Sequence, residues 1–79
     1  MKLAKEFHDG MTLPADKPVK IYGEAENAIT VSIDYNSGLY WPTDGTFEIE
    51  LKAHPAGGPY TMFIECNGVV TKLHDVYYK

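Results

Sequence analysis

Turn-forming residues interrupt this chain so often that little room is left for helices. Asp9-Gly10, Gly23, Asn36-Ser37-Gly38, Asp44-Gly45, Gly57-Gly58-Pro59 and Asn67-Gly68 recur at short intervals. Punctuation of this kind belongs to chains of short strands, packed as a sandwich or barrel. The runs between the turns agree. Ile29, Val31, Ile33 and Tyr35 alternate with Thr30, Ser32 and Asp34. That period of two marks a strand with one buried face. Phe47, Ile49 and Leu51 alternate with Thr46, Glu48 and Glu50, and Val19 and Ile21 alternate with Lys20 and Tyr22 directly after Pro18.

The stretch from Tyr60 to Cys66 places Tyr60, Met62, Ile64 and Cys66 on one face and Phe63 on the other. Asn67-Gly68 then links it to Val69–Leu73. Both residues of such a pair accept positive φ, and the resulting two-residue turn matches the twist of the flanking strands, so a hairpin is expected here. Leu3 to Phe7 reads as a short edge strand, and Val76-Tyr77-Tyr78 as a β-prone ending. The sum is about seven strands. The expected fold is an all-β, small antiparallel sandwich, Ig-like or jelly-roll-like, formed by residues 1–79 as one domain.

With 79 residues, the domain buries only roughly 60% of the surface its unfolded chain exposes. Its 13% aromatic content suits so small a core, because each aromatic ring buries a large area. The net charge is -4, and all seven basic residues are lysines spread along the chain. A phosphate-binding surface needs clustered cations, so neither nucleic acid nor an anionic membrane is an expected partner. No apolar run approaches the roughly 20 residues of a membrane-spanning helix. The opening Met1-Lys2-Leu3-Ala4-Lys5 lacks the apolar centre of a signal peptide. The protein is therefore read as cytoplasmic, or as exported with its signal trimmed. The single cysteine, Cys66, is in phase with Met62 and Ile64 and reads as core.

Catalytic chemistry finds little footing. His8, His54 and His74 are not spaced for a metal site. No metal or cofactor is expected, and the three are read as solvated or structural, with His54 in a loop before Pro55. His8-Asp9 and His74-Asp75 pair an imidazole with an acid, but a dyad also needs a nucleophile. The only serines are Ser32, on the wet face of a strand, and Ser37, in an expected turn. Neither lies in the Gly-x-Ser-x-Gly elbow that exposes an activated hydroxyl. No catalytic residue is assigned. Glu48 and Glu50 read as charges on a solvated strand face rather than as a glycosidase pair. Leu39-Tyr40-Trp41-Pro42 is the remaining cluster of interest. Trp41 is read as closing one end of the core. The alternative is an autonomous carbohydrate-binding module that stacks sugar rings on Tyr40 and Trp41.

In order and spacing, Phe7-His8-Asp9-Gly10-Met11-Thr12-Leu13, Asp16-Lys17-Pro18-Val19-Lys20-Ile21-Tyr22-Gly23-Glu24-Ala25, Asp44-Gly45-Thr46-Phe47, Ala56-Gly57-Gly58-Pro59-Tyr60 and Asp75-Val76 form a pattern across almost the whole chain. It resembles the N-terminal accessory domain of sialate O-acetylesterases, the sialic acid-specific 9-O-acetylesterase family. The sequence departs from that family where Pro14 replaces a frequent glutamine and where Tyr22 and Phe47 replace tryptophans. In the family this domain runs into a catalytic SGNH-type domain carrying a Gly-Gln-Ser-Asn block and an Asp-x-x-His block, and neither block occurs here. The resemblance implies a domain with no catalysis of its own, part of a serine hydrolase that removes O-acetyl groups from sialic acid or a related sugar. It implies a catalytic esterase domain in cis as partner, with Asp75, Val76, Tyr77 and Tyr78 at the junction. A vacated interdomain patch would leave apolar surface exposed, so weak self-association is expected.

Overall fold

The computed structural model describes all 79 residues. Eight strands and no helix are present: β1 (Lys2–Leu3), β2 (Thr12–Leu13), β3 (Val19–Glu24), β4 (Ile29–Ile33), β5 (Asn36–Tyr40), β6 (Thr46–Leu51), β7 (Gly57–Cys66) and β8 (Val69–Tyr78). They form two sheets, one with the order β1-β3-β6 and one with the order β2-β8-β7-β4-β5. Three consecutive strands thus split between layers, and the last two return beside the fourth. This is the distribution of an immunoglobulin-like sandwich, which decides between the two topologies the sequence allows. All pairings are antiparallel except that of β2 with β8, which is parallel.

The alternating residues face inward as their period requires. Ile21, Ile29, Val31, Ile33, Leu51, Met62, Ile64 and Val76 are almost completely buried between the sheets. Each such aliphatic side chain contributes about 1.5–3 kcal/mol by leaving water. Phe47 and Ile49 join the same core, as does Cys66. The Asn67-Gly68 hairpin forms as expected, with positive φ at both residues and Cys66 opposite Val69.

Three local features differ from the sequence reading. The expected first edge strand is only two residues long, because the chain turns away after Leu3. Asn36-Ser37-Gly38 is not a turn but the start of β5; the turn lies at Asp34-Tyr35, with Asp34 at φ 52°. Asn36 is buried opposite Ile33, where its Nδ2 donates to the Lys52 carbonyl at 3.2 Å. Gly38 serves the packing, since a Cβ there would lie 2.4 Å from Ile49 Cγ2. The strand count rises to eight, and the sheet is mixed because Met11–Ala15 lies along the end of β8. The amides of Tyr77 and Lys79 donate to the carbonyls of Met11 and Leu13, and the Ala15 amide donates to the Lys79 carbonyl.

Candidate functional site

The one buried ionisable cluster forms where the Asp34-Tyr35 turn, the loop after β6 and the end of β8 converge. Its centre is His54, 2% exposed. The ring stacks on Tyr78 with centroids 4.3 Å apart and on Tyr35 at 4.9 Å, while Tyr60 meets its edge at 5.2 Å. Pro55 O lies 2.7 Å from Nδ1 and Asp34 Oδ2 lies 2.9 Å from Nε2. Neutral imidazole has one N–H, so two oxygen acceptors are both matched only by the imidazolium. The Asp34 hydrogen bond and the Pro55 carbonyl accordingly hold the His54 pKa above its ordinary value, while burial works against them.

Beside it the Tyr78 hydroxyl is buried without a hydrogen-bond partner. Burial pushes its pKa up.

This histidine–carboxylate pair cannot serve as a general base. Both ring nitrogens are engaged, both ring faces are covered by tyrosine, and no serine or cysteine adjoins it among the hydrogen-bonded or stacked groups. The sequence reading placed His54 among solvated or structural residues, and it is structural. Its neighbours, contributed by Asp34, Tyr35, Tyr60 and Tyr78, are too distant in the chain for any spacing rule to have revealed them.

The other polar residues have local duties. Asp9 Oδ1 accepts from the His74 amide at 2.8 Å, and the Gly10 amide donates to the His74 carbonyl, which anchors the first loop on β8. Asp44 Oδ1 accepts from the hydroxyl and the amide of Thr46, which hold its carboxyl below the usual range and fix the turn before β6. The Tyr22 hydroxyl donates to Glu6, lowering the Glu6 pKa and raising its own. Ser37 is exposed on β5 and Ser32 half-buried on β4. No three His, Cys, Asp or Glu side chains come together as they would around a metal ion.

The aromatic cluster is divided. Tyr40 is half-buried and packs against the core, whereas Trp41 is 70% exposed. The reading of Trp41 as a core plug is therefore corrected: the chain leaves β5 at Tyr40, and Trp41 falls on the outward side of the alternation. Tyr40 instead lines a shallow groove with Tyr22, Phe47, Glu48 and Lys5. Of the four residues expected at a junction, Val76 and Tyr78 point into this domain's own core and offer no outer surface. Asp75 is exposed at a bulge with φ 57°, and Tyr77 is half-buried on the outer side of β8.

No protein-family model matches this chain. No curated protein matches it either. Among solved structures it is similar to a carbohydrate acetylesterase from Xanthomonas citri, with 30% sequence identity and a TM-score of 0.92 over 98% of this chain. The chain spans 18% of the length of that protein.

Proposed function

We propose that this chain is a non-catalytic accessory domain of a carbohydrate acetylesterase. The observation that carries the reading is the near-complete structural overlap with under a fifth of an acetylesterase chain. The engaged nitrogens of His54 support it, since its pairing with Asp34 is used up inside the fold. The ordered resemblance along the sequence narrows the chemistry to removal of O-acetyl groups from sialic acid or a related sugar, by a serine hydrolase without metal or cofactor. The role of the domain is to pack on the catalytic part in cis. Asp75 and Tyr77 are the two junction candidates with outward surface. Titrating the 79-residue chain against the Xanthomonas citri enzyme lacking its matching segment is expected to give saturable binding. Absence of association at high micromolar concentration would overturn the reading. The same titration without partner, followed by sedimentation, reads the weak self-association expected of an open apolar face.

One observation favours a second reading, an autonomous sugar-binding module: the exposure of Trp41 beside Tyr40. Trp41 is the single tryptophan, so its emission reports on this position alone. Its spectrum is expected to be that of a solvated indole, readily quenched by acrylamide. A blue shift or protection from quenching on adding glycans would support stacking. A spectrum indifferent to every glycan would remove this second reading.

A further inference from the structure

The two outer faces of the sandwich differ in chemistry. On the three-stranded sheet every cross-strand row carries charge: Lys20 faces Glu50, Tyr22 faces Glu48, Glu24 faces Thr46, and Lys2 faces Glu24. Lys20 and Glu48 form an ion pair at 3.7 Å, with both side chains more than half exposed. Such a face is at ease in water. The five-stranded sheet presents two rows across β5, β4, β7 and β8. One runs Leu39–Thr30–Glu65–Val70 and the other Ser37–Ser32–Phe63–Lys72. Leu39 is 59% exposed, Val70 49% and Phe63 42%, with no layer above them. The row charges are one of each sign, and the Lys72 ammonium lies 5.9 Å from the Phe63 ring centroid. Large apolar side chains exposed together on one face mark an interaction surface.

From this asymmetry we infer that the outer face of β5, β4, β7 and β8, centred on Leu39, Phe63 and Val70, is the surface on which the rest of an acetylesterase chain docks in cis. The inference rests on the accessory-domain reading and adds which side of the domain is covered. The occupant follows from size. Four strands about 4.8 Å apart, over about five residues of about 3.4 Å, make a patch of roughly 300 Å². A stable free dimer buries about 800 Å² on each partner, which this patch does not reach. Domains within one chain meet through about 600–1,500 Å² in total, or about 300–750 Å² on each side, and the patch meets the lower end of that range. The matched acetylesterase supplies such a neighbour, because more than four-fifths of its chain lies outside the overlap. The patch is near-neutral, so the facing surface is expected to be apolar with little net charge.

The test replaces the matching segment of the Xanthomonas citri acetylesterase with this chain and compares two net-neutral double substitutions in the resulting protein. Leu39→Lys with Phe63→Glu is expected to speed proteolytic release of the grafted domain by about tenfold or more, as loss of a central interface anchor does. Lys20→Glu with Glu48→Lys, on the opposite sheet, is expected to change nothing. The 79-residue chain carrying Leu39→Lys and Phe63→Glu should keep its own unfolding midpoint, which separates loss of docking from loss of fold. Hydroxyl-radical footprinting of the unsubstituted graft needs no variant: oxidation of Leu39 and Phe63 should fall relative to the free chain. Protection on the Lys20 and Glu48 face instead would overturn the face assignment and leave the accessory reading standing. A graft in which no residue gains protection would overturn both.

Discussion

Replacing His54 by alanine is expected to lower the unfolding free energy by about 3 kcal/mol or more. The substitution removes a ring stacked between Tyr78 and Tyr35, opens a void beside Tyr60, and leaves Asp34 without its hydrogen-bond partner. Asp34 is partly open to solvent, so the cost of its lost partner sits at the lower end of the range for buried pairs. A domain of this size has about 4–12 kcal/mol in total, so the variant should unfold at markedly lower urea. The wild-type chain should also show a pH signature. The folded-state pKa of His54 is raised, so the stabilisation it brings is fully present below the unfolded value of about 6.5. It is lost as pH rises through the folded value. Urea midpoints should therefore decline from slightly acid to mildly alkaline pH, and His54→Gln should flatten that decline. A wild-type midpoint that stays level or climbs across this interval would contradict a charged His54.

Gly58→Ala is expected to cost about 2–4 kcal/mol, combining positive-φ strain with displacement of neighbouring atoms. Gly58 sits at φ 134°, a conformation that side chains disfavour. A Cβ there would lie 2.8 Å from Tyr77 Cδ1 and 2.9 Å from the Val76 carbonyl oxygen. Backbone cannot swing aside as a flexible side chain can, so β7 and β8 must separate locally or the strain must be retained. Thermal unfolding of Gly58→Ala beside Gly10→Ala is informative. Gly10 also has positive φ, but nothing lies within 4 Å of a Cβ built on it. The difference between the two variants reads the close approach of the strands together with the stricter backbone conformation at Gly58; equal losses would show that neither adds to the ordinary cost of a positive φ.

Strand positions were legible because their causes are local. Val19 and Ile21, Ile29 to Ile33, and Phe47 to Leu51 each alternate within a few residues, and the buried faces match. Asn67-Gly68 states its own turn geometry. The turn at Asp34-Tyr35 was illegible for the opposite reason. Neither residue is a glycine, and the adjacent Asn36 and Gly38 look like turn residues until Ile49 of β6 and Lys52 just after it arrive. His54 is the same problem in stronger form, since its burial depends on aromatics brought in by three separate segments. The size of Trp41 argues for the interior, but one residue of strand phase beyond Tyr40 puts it outside. Phe63 shows the converse: its outward phase is legible in the alternation, and the structure leaves it exposed.

The parallel pairing of Met11–Ala15 with Tyr77–Lys79 joins segments more than 60 residues apart. Closing such a loop is entropically slow, and the contacts that reward it come last. During synthesis Lys2 and Leu3 can pair as soon as Gly23 and Glu24 are available, but Met11–Ala15 must wait for Tyr77–Lys79. Until then β8 lacks its outer neighbour, and Met11 and Leu13, both core residues once folded, remain in water. The pairings of β3 with β6 and of β4 with β5 need nothing from β8, so the seam between Met11–Ala15 and β8 is the part of the sandwich that closes last.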